Sequence, residues 1–227
     1  MMADGAVVIY DFQLYHNCFV LSVCTPDGHM TSYTHNDYKE LAKFLGSFKG
    51  TMVGFNNSYY YPILHNMMKA PDDYISFDGY TLSIMLYNTR KNMEMAERPV
   101  FIPYSQIAIR QFDLMSLFGL NNEKRRTSLR EVGFYLKVKD LVPAVRANTE
   151  YVQKDEVDRI VEYTESNVKI ISELYRLCLG LHCDGQLTEL YNGVDQIRMR
   201  GNIMKWFGVR CDDLAGLKIG EKIMLEM

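Results

Sequence analysis

Three consecutive tyrosines, Tyr59, Tyr60 and Tyr61, stand between the turn residues Gly54-Phe55-Asn56 and the run Pro62-Ile63-Leu64-His65. A strand that breaks at such a turn and resumes as a proline-opened helix aims a polar side chain into a cleft, and the side chains on offer here are phenols. A phenol has a pKa of about 10 and is neutral at pH 7. It can fill a core while keeping one polar handle, or it can stack on nucleobases, each stack contributing roughly 1–3 kcal/mol. Lys124, Arg125 and Arg126, with Arg130, Lys137 and Lys139 close by in sequence, suit either phosphate tracking or a solvated basic loop. His16, His29, His35, His65 and His182 show no metal-ligand spacing and no Ser-His-Asp context, and no phosphate-cradling or dinucleotide-binding glycine pattern occurs. Those absences remove the main competing enzyme classes.

The rest of the composition is that of an ordinary globular chain. Of the 227 residues, 48% are hydrophobic and 23% charged, which leaves room for one substantial core and a tail. A net charge of -3 argues against affinity through a blanket of positive charge. The five cysteines, Cys18, Cys24, Cys178, Cys183 and Cys211, are odd in number and lack paired zinc-site spacing, so reduced thiols in a cytoplasmic setting are expected. No segment approaches the roughly 18–20 apolar residues of a membrane span, and no export signal opens the chain, so no membrane partner is expected. The abrupt ending KIGEKIMLEM suggests a piece of something longer.

Segments 6–13, 17–24 and 29–35 are apolar and β-branched and are separated by turns, the second being Pro26-Asp27-Gly28. They predict a three-strand antiparallel start. Asn36 and Asp37, with Glu40, then open a helix bearing Tyr38, Leu41, Phe44 and Leu45 at helical spacing, closed by Gly46 and Gly50. A buried strand follows at 51–55, then helices over 62–68 and 80–87, a strand over 106–115 ending near Asp113, and a helix capped by Ser128 and Glu131. The longest periodic element begins at Asp155, with Val157, Ile160, Val161, Thr164, Val168, Ile171, Leu174, Tyr175 and Cys178 on one face. Another amphipathic segment runs from Leu187 to Gly208. The order predicts an α/β mixed sheet with flanking helices in a domain over 1–182, plus a helical C-terminal extension over 183–227.

That element order, with three local motifs, resembles the DnaQ-like, or DEDD, 3′–5′ exonuclease superfamily of ribonuclease-H-like fold, in its tyrosine-bearing branch. More closely it resembles exonuclease-like proteins of tailed-phage replication modules, from about residue 6 to the end. In that family the first strand carries Asp-x-Glu, a later turn carries Asn-x-x-(Phe/Tyr)-Asp, and the closing helix carries Tyr-x-x-x-Asp. The four carboxylates hold two divalent metals roughly 4 Å apart, whose charge activates water and stabilises the leaving oxygen. The corresponding residues here are Asp11-Phe12-Gln13, then Asn56-Asn57-Ser58-Tyr59-Tyr60, then Tyr163-Thr164-Glu165-Ser166-Asn167. One residue of slippage would put Tyr61 in place of Tyr60. Phe112-Asp113-Leu114-Met115, the Ser128-Leu129-Arg130 helix and the Lys218-Ile219-Gly220 tail also resemble segments of the phage relatives.

The resemblance implies degenerate catalytic positions at Asp11, Gln13, Tyr60, Tyr163 and Asn167, with Asp11 the one carboxylate left for a metal. Amides and phenols are neutral at working pH, so two-metal hydrolysis is expected to fail. Gln13 and Asn167 have the form of deliberate inactivation, but a tyrosine at the second position does not, and natural decay of the site is the better reading. Asp113 and Glu162 are the candidates for a rearranged ligand set; Glu165, about 200° from Asn167 around the helix, is not. No cofactor is expected, and Mg²⁺ or Mn²⁺ would be the metal of any surviving activity. Nucleic-acid contacts are expected at Asn56, Tyr59, Tyr61, Lys124, Arg125, Arg126 and Arg130. The implied role is a catalytically inactive exonuclease-like protein that binds single-stranded nucleic acid or a phage or host replication protein in the host cytoplasm. A scaffold reusing the nuclease fold, and an active enzyme with rearranged ligands, are the alternatives.

Overall fold

The computed structural model describes residues 6–25, 27–57, 59–95, 110–117, 121–122, 125–126, 128–143 and 151–180. Strand β1 (Val7–Leu14) sends alternate side chains to opposite faces of the sheet, both of them covered near Ile9. Val8, Tyr10, Phe12 and Leu14 enter one core, while Ile9 enters a second on the other face. Because side chains in a strand repeat every two residues, Asp11 and Gln13 share the face of Ile9. β2 (Phe19–Cys24) is buried along its whole length and β3 (Met30–Thr34) is half-buried. β1 pairs antiparallel with β2, and β2 with β3, as the turn signals predict.

The first helix starts differently from the sequence expectation. A 3₁₀ turn, His35–Asp37, is capped by Thr34, whose backbone N–H and hydroxyl both donate to the Asp37 carboxylate at 3.0 and 2.8 Å. Asp37 is therefore the third residue of a capping box rather than its opener, and the box lies one turn earlier than the Asp37/Glu40 pair suggests. α1 (Tyr38–Ser47) continues from it and buries Leu41, Ala42 and Leu45.

β4 (Thr51–Gly54) pairs parallel with β1. α2 (Tyr60–Lys69) carries Pro62 in its first turn, followed by α3 (Pro71–Ile75) and α4 (Gly79–Met95). α4 is two turns longer than its periodicity indicates, and its extra length carries Arg90 and Glu94, an i,i+4 ion pair at 3.3 Å. β5 (Arg110–Asp113) pairs parallel with β4 and stops at Asp113, where α5 (Leu114–Leu117) begins. Two two-residue strands, β6 (Asn121–Asn122) and β7 (Arg125–Arg126), form a separate ladder.

α6 (Leu129–Tyr135) has the predicted box, with Glu131 N–H bonded to Ser128 Oγ and Ser128 N–H to Glu131 Oε2. α7 (Val157–Gly180) is preceded by the 3₁₀ turn Lys154–Glu156, capped at Gln153 rather than at Asp155. Asn17, in the β1–β2 turn, exchanges hydrogen bonds with the backbone of Val152, both at 2.8 Å, and so ties that turn to the entry of α7.

The main sheet has five strands in the order β3-β2-β1-β4-β5. One face carries α1, α2 and α4 around Phe12, Leu21, Leu41, Leu64, Met67 and Leu82. The other carries α6 and α7 around Ile9, Val53, Leu114, Val132, Val168 and Ile171. No described helix is long and apolar enough to cross a membrane. The expected C-terminal extension, residues 106–109 of the fifth expected strand, and Lys124 lie outside the described residues.

Candidate functional site

α7 packs across β1 and β2, and Tyr163 and Asn167, four residues apart, share the helix face turned toward β1. Asn167 is 3% exposed and its Nδ2 donates to Asp11 Oδ2 at 2.8 Å. Gln13 Nε2 donates to the same oxygen, also at 2.8 Å. The three positions come together over a separation of 156 residues between Asp11 and Asn167. Burial pushes the Asp11 carboxyl above the ordinary carboxylate range, and only in part do the bonds from Asn167 and Gln13 and the positive field of Arg130 oppose it.

Phenols surround this cluster. Tyr15 is pushed up to about 12, first by burial and then by the fields of Tyr163, Cys18, Tyr60 and Asp11. Tyr60 is likewise raised by burial, with Arg90 opposing. Its hydroxyl accepts from Arg90 Nη1 at 3.2 Å, and its ring meets Phe12 edge-on at 5.7 Å. Tyr60 lies within the field of Asp11. Tyr61 is buried, its ring beside His65. Tyr59 is half-buried at the start of α2, and Asn56 is exposed.

A further residue organises the turn. Asp113 Oδ1 accepts from the N–H of Asn56 at 2.9 Å and of Met115 at 3.0 Å, and Oδ2 from the N–H of Asn57 at 3.0 Å. Asn56 has φ +59°, a left-handed conformation that asparagine tolerates. Asp113 stands at the tip of a parallel strand beside Gly54, and there it anchors the backbone of the turn. A Cβ on Gly54 would lie 2.4 Å from Asn57 Oδ1, so Gly54→Ala is expected to lower stability by about 1–3 kcal/mol in urea unfolding.

Glu162 is exposed. Glu165 faces the far flank of the sheet, where Oε1 accepts from Ser32 Oγ at 2.8 Å, itself 2.8 Å from Ser22 Oγ. Arg130, on α6, lies over the Tyr163 ring at 4.5 Å. Arg125 and Arg126 are placed by their backbone in β7.

A pair of divalent cations needs several hard anionic oxygens. This donor set offers one carboxylate, whose Oδ2 already accepts two amide N–H groups, beside neutral Gln13, Asn167 and Tyr60. Among the described residues no group of three or more His, Cys, Asp and Glu is placed to hold a metal ion. The described residues do not fit a two-metal centre.

No family model matches the chain, and no curated protein matches it. Among solved structures it is similar to the family B DNA polymerase from the hyperthermophilic archaeon Pyrobaculum calidifontis, with TM-score 0.52 and 14% identity. The fold is ribonuclease-H-like. The match covers 90% of this chain and 28% of the polymerase chain, so this ribonuclease-H-like chain spans under a third of the length of that neighbour. At that identity the likeness speaks for the fold alone.

Proposed function

We propose that this chain is a non-hydrolysing nuclease-fold protein that binds single-stranded nucleic acid at the cleft around Asp11. The observation that carries the reading is the double amide cap on Asp11. Where a two-metal nuclease needs charge, Gln13 and Asn167 supply donors that satisfy the remaining carboxylate and tie β1 to α7. Binding is supported by two ring–cation pairs whose charges or rings lie within the field of Asp11, Tyr163 beneath Arg130 and Tyr60 beside Arg90. Pairs of that kind stack bases and neutralise phosphates without metal. The structural neighbour's being a DNA polymerase agrees with a nucleic-acid setting, and the resemblance to exonuclease-like proteins of tailed-phage replication modules supports a replication protein as partner, in the host cytoplasm if the chain is phage-encoded.

Fluorescence anisotropy with labelled single-stranded DNA and RNA at low salt tests this, alongside gel assays in Mg²⁺ and Mn²⁺. Binding that weakens steeply with salt, with the oligonucleotide left intact, is the expected result. Metal-dependent degradation that disappears in Asp11→Ala would overturn the non-hydrolysing part. Absence of binding even at low salt would move the assignment to a protein-interaction scaffold.

A further inference from the structure

The guanidinium of Arg130 is held on two sides and unpaired on a third. Its plane lies over the Tyr163 ring, and its Nη1 donates to Ser166 Oγ at 3.1 Å. Ser166 Oγ also accepts the N–H of Val142 at 3.1 Å, so ring, hydroxyl and loop backbone together fix the group. Nε and Nη2, which make up the remaining edge of the fork, are buried and have no hydrogen-bond partner among the described residues.

Leaving charged donors unpaired away from water is costly. Two parallel N–H groups on one guanidinium edge match two oxygens of an oxyanion, a geometry that lysine cannot reproduce. One position beyond Ser166, Asn167 keeps Oδ1 buried and likewise without a partner among the described residues. That acceptor calls for a donor, so the neighbourhood asks for a ligand with both an oxyanion and a hydroxyl or N–H. A nucleotide has both, its donor being a base N–H or a ribose or chain-end hydroxyl, whereas a lone carboxylate does not.

We propose that the Nε–Nη2 edge of Arg130 is a metal-independent binding site for a phosphate of single-stranded nucleic acid. The fixed guanidinium supplies there the positive charge that a four-carboxylate site would draw from divalent cations. The identity of the ligand rests on the nucleic-acid reading above; the oxyanion site does not.

The test uses wild type, Arg130→Lys and Arg130→Met in EDTA, with folding checked by circular dichroism and urea midpoint. Inorganic phosphate is titrated against the arginine Nε–Hε NMR cross-peaks, and a 12-nucleotide single-stranded DNA is titrated by anisotropy. Expected are a saturable shift of one cross-peak that is missing in Arg130→Lys, and a loss of DNA affinity of about tenfold or more in both variants. Lysine keeps the charge and the chain length, so its failure isolates the two-donor geometry, and it serves as the decisive variant if methionine unfolds the protein. DNA affinity unchanged in Arg130→Lys would overturn the site while leaving nucleic-acid binding intact. A phosphate shift at Arg130 without any DNA binding would uphold the site and remove the nucleic-acid reading. Neither a shift nor an effect on DNA would remove the site outright.

Discussion

Asp113→Ala is expected to lower stability by about 2–4 kcal/mol, seen as a lower urea midpoint at unchanged slope. The carboxylate receives three backbone N–H groups, from Asn56, Asn57 and Met115. Hydrogen bonds to a charged acceptor contribute more than neutral ones, and the N–H groups of Asn57 and Met115 are partly buried, so truncation leaves them unsatisfied. Asn56 also loses the contact that holds its left-handed φ. Asp113→Asn keeps one acceptor and should lose about half as much. The effect should reach the cleft, because the same turn presents Tyr59 and Tyr60; a stable, unperturbed Asp113→Ala protein would disprove the anchoring role.

Asn167→Asp is the second large expectation. It places a second carboxyl at hydrogen-bond distance from Asp11 Oδ2, where Asn167 Nδ2 now stands 2.8 Å away, and two such groups cannot both ionise cheaply. Asp11 alone is already raised by burial, so the folded pair holds a proton at pH values where the unfolded chain has released both. A folded pKa above the unfolded value means that the pair's contribution is fully present below about pH 4 and is lost as pH rises through the folded value. The destabilisation is therefore expected to grow steadily as pH rises from 4.5 to 7.5. Wild type should show the same sign more weakly, and Asp11→Asn should flatten it, since the Gln13 and Asn167 amides can reverse to face a carboxamide. Urea unfolding of the three proteins at pH 4.5, 6 and 7.5 checks this; a destabilisation of Asn167→Asp independent of pH would refute the shared-proton account.

Much of the scaffold was legible because it is local. The alternation of Val8, Tyr10, Phe12 and Leu14, the Ser128/Glu131 box and the long face of α7 are each specified within a few residues. The capping of α1 is ambiguous in the sequence, because Thr34, Asp37 and Glu40 offer two overlapping boxes and only the direction of the Asp37 carboxylate decides between them. The far half of α4 lacks a clean apolar face and is held instead by Arg90, through Tyr60, Tyr87 and the Leu14 carbonyl.

Within the site, Asp11, Gln13 and Asn167 meet at one carboxylate oxygen across most of the described chain. Asp113 as a turn anchor and the Arg130–Tyr163 stack had no signal in the sequence, because each depends on elements far apart in the chain meeting at a strand tip or a helix crossing.

The hydrogen bonds of α7 have a mechanical consequence. Asn167 reaches β1, and Glu165, on the opposite side of the helix, reaches β3 through Ser32. Two pins on opposite flanks of β2 leave a rigid rod unable either to roll or to slip by a turn. A chelate would hold the same two elements only while cations last. Amide pins hold them at any cation concentration, so the shape of this cleft is insulated from the ionic fluctuations that would loosen a metal-tied counterpart.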